Sequence, residues 1–313
     1  MKIKKQDIVP ILLSVLTVFL MVGAAEVTHE KEIIFPEITA LAVGFLLAPK
    51  QVWRTNALRT LILIAICAVT GIVIVRYLPL PLYLQVSVAF MLCQIIFIFS
   101  GTGFAPMISA MVLPVLMGSE SIVYPIAAIA LTGTVLLLRQ IVVKKGDREA
   151  YVFEKLPPPD GKAVKEMICR IFCGAIVIFM ALGFGWKFVV APPLLVAFTE
   201  FVVKTSGARK KPVRACMTVF LCALGGAICR LTLNMGLGCS LAITATVSAI
   251  IMIAVMYATG MFMPPAGALS ILPMIIPETV VVYYPFQILL GVSLFMLIAI
   301  LWRDVIEKKI GIE

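Results

Sequence analysis

Apolar runs long enough to cross a bilayer follow one another along almost the whole chain, and short polar stretches separate them. The runs are continuous and do not alternate with polar residues, which favours helices over the strands of a membrane barrel. The second, fifth, eighth and eleventh runs are short or interrupted by proline. The pattern predicts an all-α polytopic membrane protein with about 12 transmembrane segments, some of them broken or short. The predicted segments are 8–25, 33–49, 57–78, 82–99, 105–118, 121–140, 166–186, 188–204, 213–232, 237–258, 264–277 and 283–302.

The composition agrees with a chain whose main partner is the lipid bilayer. Of the 313 residues, 62% are hydrophobic and 13% are charged, whereas soluble domains carry about 25% charged residues. The formal net charge of +10 would suit nucleic acid, but the basic residues lie in the polar stretches between apolar runs. This distribution is typical of membrane topology signals, so we expect no nucleic-acid partner.

The same basic residues predict how the chain is oriented. If the N-terminus is cytoplasmic and every segment crosses, 22 of the 26 Lys and Arg residues face the cytoplasm, and the exceptions are Lys31, Arg76, Lys187 and Arg230. This bias predicts that both termini are cytoplasmic, in a membrane of the bacterial inner (plasma) type. We also expect that the first apolar run is retained rather than cleaved as a signal peptide. Whether the protein forms a homo-oligomer stays open.

Two halves of the chain resemble each other. Three aligned blocks occur in the same order with nearly constant shifts, and six crossings in each half would relate the halves by an axis along the membrane normal. The sequence therefore predicts two pseudo-symmetric six-helix halves. The aligned blocks include SGTGFAPMISAMVLP (100–114) with TGMFMPPAGALSILP (259–273), Gly71 with Gly226, and Tyr124-Pro125 with Tyr284-Pro285. The predicted division is 1–140 for the first membrane repeat, 141–165 for a basic, proline-rich cytoplasmic linker, 166–303 for the second repeat and 304–313 for a short cytoplasmic tail.

The prolines of the short segments stand where helices begin. Proline is favoured at the first helical position because its missing N–H would be unpaired there. A helix from Pro106 to Met117 would be only about 18 Å long, so the residues before it must cover the rest of the bilayer in non-helical form. We expect the starts of these four helices to face each other near the midplane, with free N–H groups and a partial positive charge.

This arrangement predicts a binding site for a small anion. Close packing of small residues is the alternative explanation for the same motifs. For Glu37, capping of its own helix and coupling to protons both stay open, whereas Glu200 is expected to pair with Lys204 near an interface. The candidate substrate-binding residues are Pro36, Glu37, Ser100, Gly101, Thr102, Gly103, Pro106, Ser109, Pro192, Pro193, Thr259, Gly260, Pro264, Pro265, Gly267 and Ser270.

The sequence gives little support for metal binding, cofactor binding or catalysis. The eight cysteines form no CxxC motif, and the single histidine, His29, lies in a predicted loop. Cys169 and Cys173 share a helix face, but two thiols without a His or carboxylate partner make a poor metal site, so we expect no metal and no cofactor. No nucleophile, metalloprotease or phosphate-loop motif is found, so we expect no catalytic residues and no enzyme.

Two short motifs carry a resemblance to known membrane proteins. MPPAGALSILP (263–273) and FPEITALAVGFLLAP (35–49) are similar to the signature segments of the HPP family, over about 34–120 and 190–277. Met263 and Phe104 stand where that family has its histidine, so the resemblance implies no role for an imidazole at these positions. The resemblance implies transport of a small anion such as nitrite. APPLLVAFTE (191–200) and the repeated halves resemble, more weakly, aromatic acid exporters of the fusaric-acid-resistance type.

Taken together, the sequence favours a secondary carrier or channel for a small anion. The alternative is an exporter of aromatic or other organic acids. A non-transporting scaffold and an intramembrane enzyme are less favoured.

The predicted topology can be tested with reporter fusions in a bacterial host. Alkaline phosphatase, which is active only outside the cytoplasm, should be inactive when fused after residue 150 and active when fused after residue 30. A fluorescent protein that folds in the cytoplasm should give the reverse result at the same two positions. The opposite activities would contradict the orientation.

Overall fold

The computed structural model of the chain describes residues 3–203 and 206–301. Within these residues the chain forms α-helices, short 3-10 and π-helical turns and loops, without a strand. The predicted tail at 304–313 and the basic residues Lys2, Lys204, Arg303, Lys308 and Lys309 lie outside the described residues. The α-helices are α1 (Ile8–Thr28), α2 (Glu37–Ala42), α3 (Ala57–Tyr77), α4 (Leu82–Phe99), α5 (Met107–Met117), α6 (Val123–Lys144), α7 (Gly161–Gly183), α8 (Pro192–Val202), α9 (Pro212–Cys229), α10 (Leu241–Thr259), α11 (Pro264–Ile271) and α12 (Tyr284–Leu301).

Eight helices of the described part are long and apolar enough to cross a membrane: α1, α3, α4, α6, α7, α9, α10 and α12. The chain is therefore a helical integral membrane protein. The other four, α2, α5, α8 and α11, have 6 to 11 residues each. They stand at the four segments that the sequence marks as short or broken. A π-helical turn, Val43–Leu47, extends α2, and another, Arg230–Gly236, extends α9.

Local capping explains several helix starts. The side chains of Asn56, Asp160 and Ser240 each accept a hydrogen bond from a backbone N–H in the first turn of α3, α7 and α10. Prolines begin α8, α9 and α11. The predicted linker 141–165 is shorter in the structure, because α6 continues to Lys144 and the cap at Asp160 starts α7 at once.

The short helices form the centre of the bundle and the long helices surround them. Every residue of α2 and α11 is buried, and α2 packs on α11 while α5 packs on α8. Large apolar side chains on the long helices point outward, such as Leu12 of α1, Leu137 of α6 and Phe172 of α7. An apolar exterior suits lipid, and non-helical backbone survives at membrane depth where protein encloses it.

Two glycines allow long helices to approach the short ones closely. Gly71 of α3 lies against the backbone of α5, and Gly226 of α9 lies against the backbone of α11. A Cβ atom at Gly226 would lie 2.1 Å from the carbonyl oxygen of Ser270, and one at Gly71 would lie 2.5 Å from that of Met111. These distances are far below van der Waals contact, so only glycine fits without a shift of the backbone.

Two tyrosines make the same kind of contact with the short helices. The hydroxyl of Tyr124 on α6 donates to the carbonyl of Ala110 on α5 at 2.9 Å. The hydroxyl of Tyr284 on α12 donates to the carbonyl of Leu269 on α11 at 2.7 Å. Buried tyrosine hydroxyls need such partners. The bonds fix α5 and α11 against the helix that follows each of them.

The close approach at Gly226 leads to a stability prediction. We expect Gly226→Ala to lower the free energy of unfolding by about 1–3 kcal/mol, because the new methyl group meets rigid backbone. Gly133→Ala on α6 is the matched control, since nothing lies within 4 Å of a Cβ there. It should be neutral or stabilise by up to about 1 kcal/mol. Thermal unfolding of the purified protein in detergent measures both. Equal destabilisation by the two variants would contradict the packing.

Candidate functional site

α2 begins inside the bundle rather than at its surface. The N–H of Phe35 donates to the Sδ of Met21 at 3.3 Å. Met21 lies seven residues before the end of α1 at Thr28, or about 10 Å along that helix. The 3-10 turn Lys31–Ile33 and the residues after it therefore lead inward before α2 starts.

α5 also begins inside the bundle, but it is reached from the opposite face. The carbonyl of Gly101 accepts a hydrogen bond from the N–H of Leu156, in the connection between α6 and α7. Farther inward, the Sγ of Cys93 contacts the carbonyl of Ile108 in the first turn of α5 at 4.0 Å. The starts of α2 and α5 thus approach each other from opposite faces, as the sequence predicts.

A small cavity lies where the starts of all four short helices meet. Its volume is about 10 Å³, counted as the space open to the centre of a water-sized sphere, which is about one water molecule. Each short helix contributes two residues, one of them at or beside its first position. The lining residues are Glu37 and Ala40 of α2, Pro106 and Ser109 of α5 and its cap, Pro193 and Val196 of α8, and Pro264 and Pro265 of α11.

Two polar side chains on this wall lack hydrogen-bond partners. Glu37 is 1% exposed and Ser109 is 1% exposed. No described residue makes a hydrogen bond of normal geometry to either carboxyl oxygen of Glu37 or to the hydroxyl of Ser109, although the two side chains lie side by side on the cavity wall. Buried polar groups without partners are rare in native proteins and call for an explanation such as a ligand or an ion.

The backbone contributes less to the cavity than the sequence predicts. The expectation of free first-turn N–H groups is wrong for at least one group in each helix, because bonds to the residues just before the helix already use them. The prolines on the wall have no N–H to offer. Partial positive charge remains at the four helix starts, and the side chains of Glu37 and Ser109 add polar groups to the cavity wall. The occupied donors bond from Ile38 to Phe35, from Ile108 to Ala105, from Leu194 to Ala191 and from Ala266 to Met263.

Two buried arginines hold the far end of α2. Arg148 donates to the carbonyls of Leu46 and Leu47 at 2.8 and 2.9 Å, and Arg139 donates to the carbonyl of Phe45 at 2.9 Å. Positive charge at a helix C-terminus satisfies the unbonded carbonyls and the dipole together. Arg148 also forms a buried ion pair with Asp7 at 2.9 Å. These contacts fix α2 and, through it, the position of Glu37.

Six of the predicted site residues line the cavity: Glu37, Pro106, Ser109, Pro193, Pro264 and Pro265. Pro36 and Pro192 directly precede lining residues. Ala40 and Val196 also line the cavity without having been predicted, although each follows a predicted residue by three positions on a helix and so shares its face. The roles of Arg139 and Arg148 were not predicted either, because no local pattern indicates them.

The other predicted site residues do not line the cavity. Ser100, Gly101, Thr102 and Gly103 form the loop before α5, where the hydroxyls of Ser100 and Thr102 bond to each other and the N–H of Gly103 donates to the carbonyl of Arg54. Thr259 and Gly260 end α10. Gly267 packs against the backbone of α2, and the hydroxyl of Ser270 donates to the carbonyl of Gly267. Here the alternative of close packing describes the residues better, because their polar atoms are used within the protein.

Glu200 does not belong to the cavity either. Its Oε1 accepts a hydrogen bond of 2.8 Å from the indole N–H of Trp53. Trp53 in turn packs edge-on against Phe45 and Phe104, with ring centroids 5.3 and 5.4 Å away. The expected pairing of Glu200 with Lys204 lies outside the described residues.

Comparison with known proteins does not assign this chain to a family. No family model, no curated protein and no solved structure matches this chain. The resemblances to the HPP family and to the aromatic acid exporters therefore stay predictions. Among the described residues, no group of three or more His, Cys, Asp or Glu side chains is arranged to hold a metal ion.

The buried contacts of Arg148 lead to a second stability prediction. We expect Arg148→Met to lower the free energy of unfolding by about 3–5 kcal/mol, because Asp7 and two carbonyls lose their buried partner. Lys145→Met, at a nearby exposed lysine, should change it by less than about 1 kcal/mol. The ion pair is tested by combining Asp7→Asn with Arg148→Met. The second substitution should restore part of the free energy of unfolding that Arg148→Met removes. Fully additive effects in thermal unfolding would contradict coupling between Asp7 and Arg148.

Proposed function

We propose that this protein is a membrane transporter, a secondary carrier or channel, for a small anion that binds between the starts of the broken helices. The observation that carries the proposal is the cavity lined by α2, α5, α8 and α11, with two unpartnered polar side chains on its wall. Four helix starts direct partial positive charge at one point. Paired broken helices near mid-depth are also the recurring form of substrate sites in transporters.

The size of the cavity supports a small substrate. Its space suits about one water molecule, so a three-atom anion such as nitrite requires a modest outward movement of the wall. An aromatic acid would require a far larger rearrangement, which makes an exporter of organic acids the second candidate. The fully buried Glu37 agrees with a state in which the site is closed to both faces, as alternating access requires.

We further propose two six-helix halves, α1–α6 and α7–α12, each crossing the membrane six times. Matching contacts support this architecture. α1 packs on α10 and α7 packs on α4, while α3 packs on α5 and α9 packs on α11. The glycines Gly71 and Gly226 and the tyrosines Tyr124 and Tyr284 occupy matching positions. Exchange of the first helix between halves would hold the two halves together around the cavity.

The orientation in the membrane belongs to the same proposal. The basic loops favour cytoplasmic termini in a plasma membrane of the bacterial type. The connection between α6 and α7 would then lie in the cytoplasm beside Gly101, which its Leu156 contacts. Nitrite is the first anion to test because of the resemblance to the HPP family.

The transport assay uses the purified protein in liposomes, with uptake of nitrite, nitrate, formate and benzoate measured with and without a pH gradient. Empty liposomes supply the background leak of the undissociated acids. We expect saturable uptake of at least one small anion. Absence of flux for all three small anions, or flux of benzoate alone, would contradict the proposal.

The role of Ser109 gives a specific prediction within this assay. Ser109→Ala removes the hydroxyl that can donate to an anion, and we expect its KM to rise about 10- to 100-fold, since a hydrogen bond to a charged group contributes about 1.5–3 kcal/mol. Thr132→Val is the matched control, because Thr132 of α6 also carries a buried hydroxyl without a partner but does not line the cavity. Its KM should not change. An unchanged KM for Ser109→Ala would exclude this wall as the binding site.

A further inference from the structure

Glu37 is not explained as a helix cap. A capping carboxylate accepts hydrogen bonds from N–H groups of the first turn. The N–H groups of Ile38 and Thr39 bond instead to the carbonyls of Phe35 and Pro36, at 2.9 and 3.0 Å. Neither carboxyl oxygen of Glu37 receives a hydrogen bond of normal geometry from a described residue, although the Ser109 hydroxyl and its own N–H lie near it. The side chain therefore points to a role in the cavity that it lines.

The helices around Glu37 offer it no counter-charge. On α6, Tyr124 faces Glu37, but its hydroxyl donates to Ala110. The two arginines near α2 bind its far end, at Phe45 and beyond, about 12 Å along the helix. α5 and α11 carry no titratable side chain.

The remaining charged and titratable groups near these helices have partners of their own. On α1, Glu26 accepts from the N–H groups of Leu241 and Ala242. On α8, Glu200 is bound to Trp53. Cys67 of α3 interacts with Cys93 of α4. No described basic side chain thus stands opposite Glu37, and an ionised Glu37 would leave its charge unpaired beside the cavity.

An anion and an ionised Glu37 cannot share this space. Two unit charges about 4 Å apart, at an effective dielectric constant of about 20, repel enough to weaken binding about 10³-fold. A protonated Glu37 removes the repulsion. It also supplies an O–H donor on a wall where the four prolines have no N–H to offer.

We propose that Glu37 is a proton-binding site within the anion cavity, so that the anion binds and crosses together with one proton. The inference rests on the proposed transport of a small anion. In the cycle, a proton from water on one side binds the Glu37 carboxylate, and the anion then occupies the cavity next to the neutral acid. Both leave on the other side and restore the carboxylate. One negative and one positive charge move together, so the transport step carries no net charge.

The test measures nitrate uptake into liposomes that contain the whole protein, with potassium and valinomycin setting the membrane potential. Nitrate stays ionised at every pH used, so no neutral acid leaks across. For the wild type we expect uptake to fall by up to about 10-fold per unit of rising external pH, the limit for one proton. Uptake should not respond to the membrane potential, and a pH-sensitive dye inside should record acidification.

Glu37→Gln is the decisive variant because its amide imitates the neutral acid. Whatever nitrate uptake this variant retains should lose the dependence on pH, lose the internal acidification and become sensitive to the membrane potential. Glu200→Gln is the matched control, since it alters the buried carboxyl bound to Trp53 and not one on the cavity wall. It should behave like the wild type.

The outcomes separate the two proposals. Saturable uptake that has the same pH dependence in Glu37→Gln as in the wild type overturns the proton site and leaves anion transport intact. Proton movement opposite to the anion also overturns it. Absence of nitrate, nitrite and formate flux in the wild type overturns anion transport and this inference together.

A measurement on the wild type alone tests the proposal if Glu37→Gln fails to fold. Nitrate is added to the detergent-solubilised protein in weakly buffered solution, and a pH indicator records proton exchange. We expect saturable uptake of up to one proton per protein, with the same half-saturation as nitrate binding. Nitrate binding without proton uptake, at a pH at which Glu37 is ionised in the free protein, would overturn the proposal.

Discussion

Backbone N–H and C=O groups must find partners inside the protein wherever the chain crosses hydrocarbon, and four broken helices make this requirement hard to meet. The chain meets it by enclosing α2, α5, α8 and α11 within eight longer helices. The non-helical segments before them run from a face to the interior, where tight turns bond their polar groups. Tyrosine hydroxyls bond carbonyls of the short helices α5 and α11. The central cavity exists because four helices start at this depth.

The same requirement determines how the surrounding helices pack. Association of helices in lipid depends on close contact, since the tails are as apolar as the side chains. Gly71 and Gly226 let α3 and α9 touch the backbone of the short helices, and Arg139 and Arg148 bond the carbonyls at the end of α2. Close packing thus holds α5 and α11, and hydrogen bonding holds the far end of α2.

A carboxyl group at the meeting point of four positive helix ends links structure to the proposed function. The helix dipoles favour an anion, whereas an ionised Glu37 would repel one and has no described cation beside it. Binding of a proton resolves this conflict. In the proposed cycle, a single carboxylic acid couples the movement of an anion to that of a proton, without a buried cation in the site.

The sequence by itself determined the helical membrane class, the four broken helices and the prolines at their starts, because hydropathy and proline act over a few residues. It also indicated that opposite faces lead to the starts of α2 and α5. Only the tertiary structure decided which residues line the cavity. Ser109 reaches it while Ser100 and Ser270 bond elsewhere, and Arg148 reaches α2 from about a hundred residues away. Such contacts depend on how helices distant in the chain pack, which local patterns do not specify.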